Sequence, residues 1–224
     1  MVKDRVIRLD SKGTTYIMRV APTGHLENLY YGRKLRDNAL IDSLKQKRTT
    51  AIGTGVGYTE QDPMMFLETA CLETSTPGKG DFRSPAVLVE YSDGMTTLDF
   101  IYQGHRRVNS KPPLPNTLAQ SYSENPEDST TVQIQMADKK LPIYLQMNYT
   151  VFKDCDVIVR SCIITNRTRE SIVIRNLASL QLDLPDANWD VVPKPTDMPT
   201  SRTPWTKAQV RLCARSYPRP CATV

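Results

Sequence analysis

The chain has 224 residues, 39% of them hydrophobic, and a formal net charge of +5. That is enough apolar material for a substantial core, and no apolar run approaches the roughly 20 residues of a membrane-spanning helix. The charge excess is local: residues 193–224 carry Lys194, Arg202, Lys207, Arg211, Arg215 and Arg219 against Asp197 alone, so residues 1–192 are neutral overall and have no basic bias to attract nucleic acid.

In chain order, Met1 to Asp10 carries charge every few residues and no apolar h-region, so the expectation is a cytoplasmic protein without a signal peptide. Thr15 to Val20 is predicted as a short strand, turned by Pro22-Thr23-Gly24 into a second, His25 to Tyr31. A long loop runs from about Asp37 to Gly80, with one short helical turn expected at Met64 to Ala70. Asp81-Phe82-Arg83 then reads as a structural corner, with Phe82 buried and Asp81 and Arg83 pairing with backbone or each other. Ala86 to Tyr91, the turn Ser92-Asp93-Gly94 and Met95 to Tyr102 carry the signature of a β-hairpin.

A second long loop, rich in proline and serine, runs from Lys111 to Ser129. Beyond it the two-residue period is clearest. Val132, Ile134 and Met136 alternate with Gln133 and Gln135, and Ile143, Leu145, Met147, Tyr149 and Val151 alternate with polar or amphipathic residues. Val157 to Thr165 is a further strand, and Ser171 to Leu184 another, the latter ending in alternating Leu180, Leu182 and Leu184. Long antiparallel strands with one polar face predict an all-β, antiparallel β-sandwich with scarce helix. Six of the sixteen prolines fall after Val192, where alternation stops; residues 1–192 are therefore expected to form the sandwich domain and 193–224 an irregular, basic, proline-rich tail.

Sites of chemistry are harder to find. Gly53-Thr-Gly-Val-Gly57 lacks the Gly-Lys-Ser/Thr ending of a phosphate loop, and there is no Gly-x-Ser-x-Gly elbow. His25 and His105 lie in or beside strands and read as structural. The cysteines Cys71, Cys155, Cys162, Cys213 and Cys221 form no Cys-x-x-Cys pair, so reduced thiols and no metal site are expected. Tyr30, Tyr31 and Trp189 read as core or rim aromatics. Asp183, Asp186 and Asp190 sit close in sequence, but nothing orients two of them across one bond. No catalytic, substrate-binding or metal residue is assigned, and no cofactor.

The order of the blocks resembles the N-terminal β-sandwich of bacterial α-galactosidases of glycoside hydrolase family 36. Carrying the resemblance are Thr15 to Val20, Gly24-His-Leu-Glu-Asn-Leu-Tyr-Tyr-Gly-Arg33, the Gly78 to Ala86 corner, Asp93-Gly94, Lys111-Pro-Pro-Leu-Pro115, Tyr149-Thr-Val-Phe152, Asp156-Val-Ile158, Arg160-Ser161, Asn166, Leu177-Ala-Ser179 and Leu182-Asp-Leu-Pro-Asp186. It implies a supersandwich-like fold, here incomplete, and a full-length relative that hydrolyses terminal α-galactosides such as raffinose and melibiose with retention and forms homo-oligomers. In such relatives two aspartates of a following (β/α)₈ barrel do the chemistry, one as nucleophile and one as acid/base. The resemblance stops near Pro193, and the stretch Gln46-Lys47-Arg48-Thr49-Thr50, where relatives bring an acidic residue to the sugar, is basic or neutral here. The reading is a truncated gene product, inactive alone, with unpaired sheet edges where partner strands are missing. The alternative is a non-catalytic sandwich that binds carbohydrate or partner subunits. No nucleic acid or membrane partner is expected.

Overall fold

The period-two segments fold as antiparallel strands, because β-branched and aromatic residues on one face of each strand can share a single interior. A computed structural model describes residues 5–37, 40–45, 55–60, 65–114, 121, 125–183, 189–194 and 209–214. The strands are β1 (Arg5–Asp10), β2 (Thr14–Val20), β3 (Leu26–Arg33), β4 (Val87–Glu90), β5 (Phe100–Val108), β6 (Ser129–Asp138), β7 (Ile143–Phe152), β8 (Ile158–Asn166), β9 (Val173–Leu177), β10 (Trp189–Lys194) and β11 (Gln209–Ala214). Among the described residues helix is confined to 3-10 turns at Ile41–Leu44, Leu67–Thr69 and Pro126–Asp128, the second inside the turn expected from Met64 to Ala70. No helix of the described residues is long and apolar enough to cross a membrane.

Two compact units result: residues 1–112 with 122–183, and residues 113–121 with 184–224. In the first, a three-stranded sheet β1-β2-β3, a two-stranded sheet β4-β9 and a four-stranded sheet β5-β6-β7-β8 share one core. Ile7, Leu9, Tyr16, Met18 and Val20 come from the three-stranded sheet, Val87 and Val89 from β4, and Ile134, Met136, Ile143, Leu145, Met147 and Tyr149 from the four-stranded sheet. The pairing of β6 with β7 and of β7 with β8 runs without a break in register. A smaller cluster of Ala21, Met65, Leu67, Ala70 and Leu72 ties the long front loop down. Its chain runs beside β3: the Asn28 amide donates to Cys71 and the Glu73 amide to Leu26, and Glu27 bridges Leu72.

The sandwich architecture is as expected, with four local corrections. The hairpin at Ser92-Asp93-Gly94 is one. Its turn closes, Gly94 donating to Tyr91 and Tyr91 to Met95, but its arms part. β4 pairs with β9, while residues 95–99 cross to the other sheet and lead into β5, which pairs with β6. The crossing is fixed by Thr76 donating to the Leu98 carbonyl and by the Asp99 amide donating to Asp138. Next, the strand expected from Ser171 to Leu184 is shorter: β9 ends at Leu177, and Leu180 is exposed while Leu182 packs against the core from a non-strand backbone. The polar faces are also less open than expected, since Gln133, Asn148 and Thr150 are buried. Finally, the expected irregular tail contains β11, which pairs antiparallel with β10 in the second unit.

Ile134 is fully buried at the middle of β6. Replacing it with alanine removes buried methylenes and leaves a cavity, so Ile134→Ala should cost about 2–5 kcal/mol in urea unfolding; a cost near zero would show that this strand does not carry the core.

Candidate functional site

Three clusters in the first unit join charged side chains from segments distant in sequence. The largest centres on Glu73, which follows the Leu67–Thr69 turn and is fully buried. Its Oε1 accepts from the Tyr16 hydroxyl at 2.6 Å and from Asn28 Nδ2 at 3.2 Å. Its Oε2 accepts from the Tyr149 hydroxyl at 2.6 Å and lies 3.2 Å from Arg160 Nη1. Arg160 Nη2 also donates to the Glu73 backbone carbonyl at 2.5 Å, and the guanidinium stacks 4.9 Å from the centre of the Tyr149 ring. Strands β2, β3, β7 and β8 thus converge on one carboxylate. Burial, reinforced by the nearby Glu73 charge, pushes both phenols up well above the ordinary tyrosine value. Burial opposes the Arg160 charge, but the acidic surroundings outweigh it and its pKa is raised. With no open position at Glu73, the cluster can hold the sheets together but cannot meet a substrate.

The Asp81-Phe82-Arg83 corner forms the second cluster. Gly78, Lys79 and Gly80 take φ of 96°, 57° and 78°, a left-handed bend that favours glycine at its ends. Arg83 then turns inward. Its guanidinium donates to Asp81, to the carbonyls of Leu67 and Ala70 and to Asp183, the last at 2.6 Å. The expected pairing of Asp81 with Arg83 is present. The expected burial of Phe82 is not: its exposure is 77%. Asp81 and Arg83 are held by bonds within the fold, and Phe82 between them is left to solvent.

In the third cluster, His25 Nδ1 meets the Thr23 hydroxyl at 2.9 Å and Nε2 meets Asp99 at 3.1 Å, while the Tyr58 hydroxyl donates to the other Asp99 oxygen at 2.9 Å. Thr, His and Asp are the residue types of a nucleophilic triad, but the Tyr58 ring packs edge-on against the imidazole at 4.7 Å and closes it in. Burial works against the Asp99 charge, and the bonds from His25 and Tyr58, with Lys139 nearby, overcome it and lower its pKa. The structural reading of His25 fits this geometry. His105 is on β5, bonded through Nδ1 to the Tyr102 hydroxyl at 2.7 Å.

A row of amides crosses the outer face of the four-stranded sheet. Arg106 donates to Gln133, Gln135 to Gln146, Gln146 to Asn148 and Asn148 to Ser161. Of the three acids close in sequence, Asp183 binds Arg83, Asp190 is on β10, and Asp186 lies outside the described residues, as do Gln46 to Thr50 and Gly53. Among the described residues no group of His, Cys, Asp and Glu could hold a metal ion, and Cys71, Cys155 and Cys162 form no disulfide. Sequence reasoning passed over Glu73, which reads as one more acid of a long polar loop. The signal available was on its partner: Arg160 takes the inward place between apolar Ile158 and Cys162 of a strand, where a cation requires a buried anion.

The glycosyl hydrolase family 36 N-terminal domain matches residues 24–193 of this chain. Alpha-galactosidase 1 of Pediococcus pentosaceus is 27% identical over 201 residues, which cover 90% of this chain and 27% of that protein. The probable alpha-galactosidase C of Aspergillus oryzae is 34% identical over 84% of this chain and 23% of its own. Among solved structures, a variant of the family 36 α-galactosidase AgaA of Geobacillus stearothermophilus in complex with raffinose superposes with a TM-score of 0.78 at 27% identity, covering 85% of this chain and 26% of that one. The chain therefore spans about a quarter of the length of the relatives it matches.

The two phenols at Glu73 are held neutral in the fold and ionise near pH 10 in the unfolded chain. Their contribution is full below about pH 10 and is lost as pH rises beyond it. The urea midpoint should fall above that pH, and less steeply in a Tyr16→Phe/Tyr149→Phe variant; equal slopes would contradict this assignment.

Proposed function

Because the chain belongs to the family defined by the glycosyl hydrolase family 36 N-terminal domain, we propose that it is the non-catalytic sandwich lobe of an α-galactosidase that hydrolyses terminal α-galactosides such as raffinose and melibiose. The observation that carries the non-catalytic part is the fate of the buried carboxylates. Glu27, Glu73, Asp81 and Asp99 are the buried acids among the described residues. Each is taken up inside the fold: Glu27 by Arg19, Glu73 by Arg160 and two phenols, Asp81 by Arg83, and Asp99 by His25 and Tyr58. Retaining hydrolysis needs two carboxyls about 5 Å apart facing one sugar, one to attack the anomeric carbon and one to protonate the leaving oxygen. A carboxylate already bound to an arginine and two phenols is a weak nucleophile and has no route to the substrate. In this reading the attacking and protonating groups come from the three quarters of the relatives' length that these residues do not match, and the lobe supplies a rigid wall beside them. We place the limit of the lobe at residue 192, with 193–224 as a tail; the end of the family match at residue 193 supports this, while β10 spans that limit and pairs with β11 of the tail.

One feature supports the alternative of a sandwich that binds sugar or a partner subunit. The amide row from Gln133 to Ser161 holds the donors and acceptors that recognise hydroxyls, with Gln133 and Asn148 buried and Gln135 and Gln146 half-buried. Those groups already satisfy one another, which favours the first reading.

Two measurements on the purified 224-residue chain separate these readings. The lobe reading expects no turnover of a chromogenic α-galactoside and no saturable heat with raffinose. Turnover that follows the protein through purification would contradict it. Saturable heat that a Gln135→Ala/Gln146→Ala variant abolishes would establish the alternative.

A further inference from the structure

The core-facing rows of two neighbouring edge strands end in cations. β1 is an edge of the three-stranded sheet and β5 an edge of the four-stranded sheet. On β1, Arg5 alternates with the buried Ile7 and Leu9, so it belongs to the row that faces the core, at the exposed end of the strand. On β5 the core-facing row starts with the buried Phe100 and Tyr102. A bulge between Tyr102 and Gly104 then adds one residue. It sets His105 opposite Ile134 and Arg107 opposite Val132, and both of these β6 residues are in the core. Without the bulge Gly104 and Arg106 would have continued the row. Arg106 instead donates to Gln133 of the outer amide row. Bulges often re-aim side chains in this way beside sites of function.

The two rows meet at one margin of the sandwich. The Tyr102 amide donates to the Gly24 carbonyl, in the turn that follows Val20, the cross-strand partner of Arg5. Further along, Arg107 Nη2 donates to the Arg8 carbonyl at 2.9 Å. β5 thus runs beside β1 from one end of the seam to the other. Burial, with the charges of Arg107 and Arg5, holds the His105 imidazole below the ordinary histidine value, so both guanidinium groups act on this ring. Among the described residues neither Arg5 nor Arg107 is paired with an acid. Asp10 of β1 is taken by Arg8 and Thr15, and Asp37 by Arg8.

Like charges held together repel, and an anion between them turns that cost into attraction. Guanidinium forks match the oxygens of a tetrahedral oxyanion. With the Tyr102 hydroxyl donating to Nδ1, a neutral His105 carries its proton on Nε2, which has no partner among the described residues and adds a further donor. We propose that the seam between β1 and β5 is a binding site for an oxyanion of the phosphate class, held by the guanidinium groups of Arg5 and Arg107 and by Nε2 of His105. The site stands on the two sheet edges and not on galactoside chemistry, so its failure would leave the lobe reading untouched.

Proton NMR of the 224-residue chain at fixed pH tests it, because the chain has two histidines, His25 and His105. At constant ionic strength, balanced with chloride, inorganic phosphate should move the His105 ring signals along a saturable curve. The His25 ring, enclosed by Thr23, Asp99 and Tyr58, should stay in place and report an intact fold in every variant. Arg5→Gln, at an exposed strand end, should weaken half-saturation about tenfold, the worth of one hydrogen bond to a charged group. Arg106→Gln, on the other face of β5, should leave it unchanged. Equal binding of glycerol 2-phosphate would support the site with a phosphoryl group on a larger molecule as its source, and exclusion of that ester would support it with the free ion. No saturable shift, an equal response to chloride alone, or an Arg5→Gln variant that binds as well as wild type would each overturn the proposal, and would leave the cations only the task of keeping two edge strands from pairing with other chains.

Discussion

One buried carboxylate constrains the rest of this fold. An ionised Glu73 without partners would cost several kcal/mol in the interior. The chain meets that requirement from four strands and both large sheets: Tyr16 from β2, Asn28 from β3, Tyr149 from β7 and Arg160 from β8. Apolar packing sets which faces meet, but it tolerates small slips. A carboxylate that must find two phenols, an amide and a guanidinium at once does not. The cluster therefore fixes how the three-stranded sheet sits on the four-stranded one, and it anchors the long front loop on which Glu73 is carried.

The same economy explains where the other buried acids are held. Arg83 binds Asp81 and Asp183, two acids 102 residues apart in numbering, and with them the carbonyls of Leu67 and Ala70. His25 and Tyr58 bind Asp99 at the point where the chain crosses between sheets. Each cluster neutralises a charge that the core needs and at the same time joins segments distant in sequence. Activity in a glycosidase requires the opposite arrangement, in which carboxyls are partly free and face an open pocket. In this chain the clusters leave Phe82 exposed at the corner.

Much of this architecture was legible because alternation reports directly on which face a strand buries. Ile143 to Val151 and Val132 to Met136 could be placed on the core side from spacing alone, and the structure buries them there. Reading failed where the decisive partner is remote. Asp93-Gly94 makes the turn its sequence promises, yet whether the arms pair depends on β9, some 80 residues later. Phe82 looked like core because it is aromatic, but its orientation is dictated by Arg83, whose partners at Leu67, Ala70 and Asp183 are invisible locally. Glu73 is the clearest case: nothing within ten residues of it explains its burial, and only the inward place of Arg160 hints that an anion is waiting.

The most direct test is a double-mutant cycle of Glu73→Gln and Arg160→Met, read by urea unfolding of the 224-residue chain. If the carboxylate and its cation pin the two sheets together, each single change should cost about 3–5 kcal/mol, because the partner is left buried and uncompensated. The double variant should then cost much less than the sum of the two. Small single costs that simply add would show that the sheets are held by apolar packing alone and that the cluster is incidental to the fold.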